Sequence, residues 1–397
     1  MLPFHGCAAE LLCGFFHNFV LRPHGRSVNM SAMKKLLLIL ALGLFATGLH
    51  AQEDFVWINP IEAGAEVHGQ GWKELKNTYF RLPAKAEAVV PASVWRLGKN
   101  SAGLSLVFRC NSPEILVRYK VGERQAMFHM PATGASGVDL YATDSKGERH
   151  FVSPKFAPSF KDTINYRFPG IIDPVSRKEG VMMTFRLSLP LYNTVEWLEI
   201  GIPRGKELSF VPVSGQKSIV IYGSSITQGG VASRPSMAWP SIVASQLGRE
   251  VVNLGFSGSG KGEKEVFDLI SEIDAGVFVI DCLPNMSLDL PIKERILYGV
   301  HKIRESHDCP ILLAEYSVCG QQGAIDVKRA EETEAKNLIL REVYAQLKKE
   351  GVRNIHYIKA SEWEAGMDGY AEGDHPNDFG MQGLAAGMVK KLKKLLK

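Results

Sequence analysis

The segment Ser218-Ile219-Val220-Ile221-Tyr222-Gly223-Ser224-Ser225-Ile226-Thr227-Gln228-Gly229-Gly230 sets an apolar, β-branched run directly against a turn of small residues. A continuous run of that kind reads as a strand covered on both faces, the habit of parallel sheets. The same texture recurs at 250–254, 277–281, 311–316 and 354–358, with helical stretches at 263–273, 291–306 and 327–350 between. Strand, loop and helix in alternation predict a parallel sheet with helices on both sides. In such sheets ligands sit at the carboxyl ends of the strands, so the loops that follow them are where chemistry is expected. No internal repeat is visible.

Upstream of residue 212 the texture differs. Ile115, Val117 and Tyr119 alternate with more polar neighbours, as do Met183, Phe185, Leu187 and Leu189. Further strands read at 104–108 and 195–200. Clusters such as Asn111-Ser112-Pro113 and Pro169-Gly170 separate them. Short alternating strands punctuated by turn residues predict an antiparallel β-sandwich over residues 52–211, ahead of an α/β domain over 212–397.

The start of the chain reads as an address. Met33-Lys34-Lys35 precedes an apolar run, 36–45, and small residues lead to Ala51. A short basic region, an apolar stretch too short to span a bilayer and a cleavage site after Ala51 make a signal peptide, with Leu49 and Ala51 at the −3 and −1 positions. Met33 is then the expected start, and residues 1–51 are set aside from fold reasoning. The expectation is an exported protein, periplasmic or secreted. No cysteine follows the cleavage site to carry a lipid, and no second stretch is apolar enough to span a membrane.

Composition bounds the function further. The 397 residues are 45% hydrophobic and 22% charged, with net charge +4. These are ordinary globular values for a chain of two or three domains. The Lys-rich end, 390–397, suits the solvated last turns of a helix. Nothing forms the basic stripe of a nucleic-acid binder. Beyond residue 51 only Cys110, Cys282, Cys309 and Cys319 remain. They are too sparse for a disulfide framework and lack the spacing of a zinc site, and no His-Glu-x-x-His or Cys cluster supports a catalytic metal.

Four loops carry candidate chemistry. In the first, Ser225 lies between a buried strand and a glycine-rich turn, where a nucleophile can be presented beside backbone N–H groups; Ser and Gly also fill such turns for purely local reasons. The second reads Asn253-Leu254-Gly255-Phe256-Ser257-Gly258-Ser259-Gly260. Gly258 admits close approach of backbone to a ligand, and its N–H can serve an oxyanion. The third, Cys282-Leu283-Pro284-Asn285-Met286, offers the Asn285 amide as a donor, or as the cap of a turn. The fourth, Glu372-Gly373-Asp374-His375-Pro376-Asn377, places His375 among acids at the start of the last helix, where an imidazole can take a proton from a hydroxyl.

In this order the four loops resemble the blocks of the SGNH, or GDSL-type, hydrolases. The resemblance implies a three-layer α/β/α, flavodoxin-like fold around a five-stranded parallel sheet. It implies Ser225 as nucleophile, His375 as general base, and an oxyanion hole made by the Ser225 and Gly258 N–H groups with the Asn285 amide. The first block departs from the family by carrying Ser224 where an Asp is usual. The last departs by carrying Glu372 where an Asp is usual three residues before the histidine. Glu372 is taken as the orienting acid; Asp374, Asp368 or a backbone carbonyl are the alternatives.

Upstream, Tyr79-Phe80-Arg81-Leu82-Pro83, His129-Met130-Pro131 and Gly137-Val138-Asp139-Leu140-Tyr141 resemble the β-rich domain that precedes one branch of these hydrolases. His129, Asp139 and Tyr141 are therefore candidate substrate contacts, against the simpler reading of a turn and strand that merely pack. The two resemblances cover nearly all of 53–397.

Two rival motifs fail on particular residues. The run from Gly255 to Lys261 approaches a phosphate-binding loop, but Gly262 stands where Ser or Thr must hold Mg²⁺. Gly255-Phe256-Ser257-Gly258-Ser259 misses the nucleophile elbow at its last position. The expectation is an exported serine esterase acting on small acyl esters, acetyl foremost, of carbohydrates. A short-chain lipid or thioester hydrolase, and a carbohydrate-binding protein that keeps the fold without the chemistry, are the alternatives.

Overall fold

The computed structural model describes residues 54–122, 126–155, 160, 162–317 and 325–396. The expected leader, with its start at Met33 and cleavage after Ala51, lies outside them, as does Cys319. Among the described residues no helix is long and apolar enough to cross a membrane.

Among the described residues the first half has ten strands: β1 (Phe55–Ile58), β2 (Val67–His68), β3 (Ser105–Cys110), β4 (Ile115–Val121), β5 (Asp139–Thr143), β6 (Arg149–Val152), β7 (Ile164–Phe168), β8 (Met183–Ser188), β9 (Val195–Pro203) and β10 (Leu208–Phe210). They form two antiparallel sheets, β1-β9-β4-β7 and β10-β3-β8-β5-β6, with β2 added beside β3. Alternation decides which side chains face inward. In β7, Ile164, Tyr166 and Phe168 are buried while Asn165 and Arg167 are exposed. Their core joins Phe108, Phe185 and Leu187 to Val117, Tyr119, Leu198 and Ile200, and Phe108 stacks on Phe185 with ring centroids 5.6 Å apart.

Two short helices interrupt this half, α1 (Ala92–Gly98) and α2 (Ala132–Ala135). The sequence texture had not separated α1 from the sandwich. Its buried residues Val94, Trp95 and Leu97, with Leu82 and Ala86 before them, pack in the core of the second half.

The second half is a parallel sheet in the order β12-β11-β13-β14-β15. The strands are β11 (Ser218–Gly223), β12 (Val251–Gly255), β13 (Ala275–Asp281), β14 (Ile311–Ala314) and β15 (Ile355–Ile358). The connecting helices are α3 (Ser225–Gln228), α4 (Trp239–Leu247), α5 (Lys264–Ile270), α6 (Ile292–Arg304), α7 (Val327–Lys349) and α8 (Asp378–Leu395). Every residue of β12 and β14 is buried, as the uninterrupted apolar runs require. β14 stops at Ala314, two residues short of the expected span. Glu315 there turns inward and accepts from Tyr357 Oη at 2.6 Å, the Ala360 N–H at 2.7 Å and Arg341 Nε at 2.7 Å.

Two buried polar clusters fasten the halves together. The Arg81 guanidinium donates to the carbonyls of Asn100 (2.8 Å) and Leu97 (2.7 Å) on its own side. Across the junction it donates to those of Asn253 (3.0 Å) and Gly255 (2.8 Å). Complete burial pushes its pKa down to about 9, and four carbonyl acceptors satisfy the planar fork where no carboxylate is at hand. Asp139, at the start of β5, accepts from Arg234 (3.0 Å), the Ser236 N–H (2.9 Å) and the Ser236 hydroxyl (2.6 Å).

Candidate active site

Ser225 opens α3 at the carboxyl end of β11. Ser224 is the N-cap, its hydroxyl accepting from the Ile226 N–H at 3.2 Å. That is the local task for which Ser, Asp and Asn are favoured, and it accounts for a serine where the resembled family has an Asp. Gly229 ends the helix with φ 105°, which no Cβ-bearing residue adopts comfortably. As the first helical residue, Ser225 has an N–H without an intrahelical acceptor.

His375 lies just ahead of α8. Asn377 caps that helix, accepting from the Phe379 N–H at 3.0 Å and the Gly380 N–H at 3.1 Å, while its own amide donates to the Asp368 carbonyl at 2.8 Å. This pins the 368–377 loop. His375 Nε2 lies 2.7 Å from Ser225 Oγ, and Nδ1 is hydrogen-bonded to Glu372 Oε1. The other Glu372 oxygen accepts from the Asp374 N–H at 3.2 Å. Asp374 points elsewhere, toward Arg329 and Tyr316 Oη, and Asp368 contributes its backbone carbonyl to Asn377 rather than its carboxylate to the ring.

Gly258 has φ 66°, with nothing within 4 Å of where a Cβ would be. Its N–H has no hydrogen-bond acceptor among the described residues. The N–H groups either side of it are engaged, that of Ser257 with Gln228 Oε1 at 3.0 Å and that of Ser259 with the Phe256 carbonyl at 3.0 Å. Asn285 is placed differently from the expectation of an oxyanion donor. Its Nδ2 donates to the carbonyls of Phe256 (3.1 Å) and Ser259. The side chain thus braces the loop that carries Gly258, and both its N–H bonds are spent in doing so.

The β-rich half reaches this site through the hairpin at Met127 and Met130. The His129 ring stands 5.5 Å from that of His375, centroid to centroid, and Phe128, beside it, is 97% exposed. His129 Nδ1 is buried without a partner among the described residues. Burial and then the neighbouring His375 lower the His129 pKa. Thr133 Oγ1 donates to the Ser233 carbonyl at 2.8 Å, docking the hairpin's continuation on the α/β half. Asp139 and Tyr141 are not brought to the triad. Asp139 is buried in its latch, and Tyr141 Oη accepts from Arg234 at 2.9 Å.

Sequence reasoning missed three contributors. Tyr192 donates its hydroxyl to the Ser225 carbonyl at 3.2 Å. Gly230 lies so close to the base that a Cβ there would stand 2.9 Å from His375 Cδ2. Asp281, at the end of β13, accepts from Thr227 Oγ1 at 2.6 Å, and burial pushes its carboxyl up to about 7. Only Gly230 had a readable cue, as the last of the paired glycines after Gln228.

Ligand atoms of His129, Glu372 and His375 lie within 4.8 Å of one another, a cluster that can hold a metal ion. Both His375 nitrogens are already engaged, so a metal there would compete with the serine–histidine contact. Chemically, the hydroxyl, imidazole and carboxylate in line form the proton-transfer chain of a serine hydrolase.

The comparisons bear on the two halves and on the fold. Residues 216–393 match the GDSL-like lipase/acylhydrolase family, and residues 55–208 match the N-terminal domain of SGNH-hydrolase-type esterases, labelled GxDLY. No curated protein matches the chain. Among solved structures, one described as a GDSL-like lipase, from Bacteroides ovatus, superposes with TM-score 0.77 at 28% identity, covering 86% of this chain and 98% of that one. A salicylyl-acyltransferase from a tetracycline biosynthetic pathway gives 0.64 at 20% identity, covering 87% and 98%. A family two carbohydrate esterase from Cellvibrio japonicus gives 0.53 at 12% identity, covering 86% and 98%; at these last two identities the likeness is one of fold. With both halves matched in order, the chain belongs to the GDSL-like (SGNH) ester hydrolases that carry an N-terminal GxDLY domain.

Proposed function

We propose that this esterase removes a small acyl group, acetyl foremost, from a carbohydrate by way of a Ser225 acyl-enzyme. The observation that carries the mechanism is the 2.7 Å contact between Ser225 Oγ and His375 Nε2, with Nδ1 held by Glu372. His375 takes the Ser225 proton as Oγ attacks the acyl carbon. The protonated ring then gives that proton to the departing sugar alkoxide, and afterwards activates the water that releases the acid. Glu372 fixes the tautomer and stabilises the imidazolium. The developing oxyanion is held by the N–H groups of Ser225 and Gly258. Asn285 keeps Gly258 in place, and its amide joins the oxyanion only by leaving the Phe256 carbonyl.

Two features favour a small acyl group on a sugar. The His129 ring stands beside the base, 5.5 Å from that of His375, which suits a short acyl chain better than a long one. Exposed Phe128 offers an apolar ring at the mouth of the site, a surface on which the C–H face of a sugar can lie. The leader-like segment ending at Ala51 supports action outside the cytoplasm. No cofactor is needed for these steps.

Release of p-nitrophenol from its acetate and from longer esters, by the wild type and by Ser225→Ala, tests this reading. Acetate turnover that falls with chain length and collapses in the variant is expected, to be followed by acetylated glycans. Wild type and variant equally inert would move the chain to a carbohydrate-binding role; equal turnover of long and short esters would favour a lipid or thioester substrate.

A further inference from the structure

Alongside α4 the two halves of the chain line a partly open cavity of about 250 Å³. Ser225, His375 and Glu372 do not line it. Its lining includes Arg249 and Glu250, at the amino end of edge strand β12, whereas the triad loops leave the carboxyl ends of their strands. It is therefore a second site rather than an arm of the first.

Its charge is unbalanced. Arg149, Arg186 and Arg249 face it with the single carboxylate of Glu250. That carboxylate is already shared, accepting from His68 Nδ1 at 2.9 Å and from Arg186 at 3.1 Å. Arg186 spends its remaining contact on the Ser105 hydroxyl at 2.7 Å. Arg149, from the β-rich half, lies 4.4 Å over the Tyr141 ring, and its guanidinium has no hydrogen bond or ion pair among the described residues. Arg149 is exposed at the rim of this space, and partial desolvation with the positive charges of Arg186 and Arg234 lowers its pKa from the usual arginine range. Arg249, from the α/β half, makes one long bond to the Lys217 carbonyl at 3.3 Å. Ser241 and Ser245 sit one helical turn apart on α4 and line the same space, their hydroxyls unengaged among the described residues.

Guanidinium donors from two sides and a pair of hydroxyls suit a compact, hydroxylated anion, since Arg pairs with carboxylate and sulfate oxygens through two parallel hydrogen bonds. We propose that this cavity binds a sugar-sized oxyanion, a uronate or a sulfated monosaccharide unit, gripped by Arg149 and Arg249 and contacted by Ser241 and Ser245. The site gives the esterase a second hold on an acidic glycan at a distance from the ester. It stands independently of the triad, because its donors take no part in the acyl transfer.

Isothermal titration of the full chain with glucuronate, glucose and inorganic sulfate tests this. Saturable binding of glucuronate and none of glucose is expected. Arg149→Ala should weaken it at least about tenfold. Ser245→Phe, which fills the cavity, should abolish it, with melting temperature and p-nitrophenyl acetate turnover unchanged in both variants. Ser225→Ala should bind glucuronate as the wild type does, which separates this proposal from the esterase reading. Sulfate bound as tightly as glucuronate would support the oxyanion site and assign it to the free anion. Glucose bound as well as glucuronate, no saturable binding of either anion, or binding that neither variant moves would overturn the proposal.

Discussion

Gly230 and His375 are in such close approach that a methyl group on Gly230 would stand 2.9 Å from the imidazole Cδ2 and equally near the Tyr192 hydroxyl. The glycine is thus a spacer that sets where the base stands relative to Ser225. Gly230→Ala should push the ring off the 2.7 Å contact while leaving the sheet intact. A shift of order 1 Å costs about 10²-fold in rate. The expected result is a kcat lowered by roughly that factor with little change in thermal melting, read by p-nitrophenyl acetate kinetics and calorimetry on the same preparation.

Glu372 and Asp374 are two residues apart and have different partners. Glu372→Gln leaves a side chain of the same size but removes the charge that stabilises the imidazolium. It should lower kcat by about 10²- to 10⁴-fold and alter the pH profile. Asp374→Asn disturbs the contact with Arg329 and Tyr316 and should cost less than about tenfold in activity, as expected of a part-exposed ion pair. The reverse ranking in steady-state assays would make Asp374 the acid.

Asp281 gives a pH test that needs no substrate. Burial raises its carboxyl from 3.8 to about 7 in the fold, so the folded chain holds this proton more tightly than the unfolded one. The stability it contributes is fully present below about pH 4 and is lost as the pH rises toward 7. Asp281→Asn removes that dependence. In urea titrations across this range, the difference in stability between variant and wild type should move in favour of the variant as pH rises. A constant difference would count against a buried neutral carboxyl beside Thr227.

Asp139 was a candidate substrate contact and is found instead as a latch on Arg234 and Ser236. Asp139→Ala leaves a mostly buried guanidinium without its carboxylate, a loss of about 3 kcal/mol. Denaturant midpoints should fall accordingly, while KM of the remaining folded enzyme stays at the wild-type value. A raised KM with unchanged stability would return Asp139 to the substrate site.

The α/β half was readable because its strands are largely buried on both faces, and burial leaves runs dominated by Ile, Val and Leu. The first three loops were readable because each follows such a strand, and the fourth because it sets His375 among acids at the head of the last helix. What escaped was whatever depends on distant pairing. Nothing in the local pattern around Arg81 says that its acceptors lie at Asn253 and Gly255, or that α1 belongs to the core of the other half. Asn285 shows the same limit: its residue type and place are clear from sequence, but the direction of its amide is decided by two carbonyls in another loop. The family spacing favoured Glu372 over Asp374 but left the alternative open, and the contacts of Glu372 with His375 and of Asp374 with Arg329 separate them.

Arg81 and the stretch from Leu82 to Leu97 bear on how this molecule is made and inherited. Residues 212–397, produced alone, would present bare the carbonyls that Arg81 covers and the apolar surface that Val94, Trp95 and Leu97 roof over. Such a fragment would expose sticky surface of the kind that drives aggregation. The boundary near residue 212, where the two sequence families meet, is thus a place where the folded molecule has no joint. Recombination, truncation or transplantation of this hydrolase has to carry both halves as one inseparable cargo.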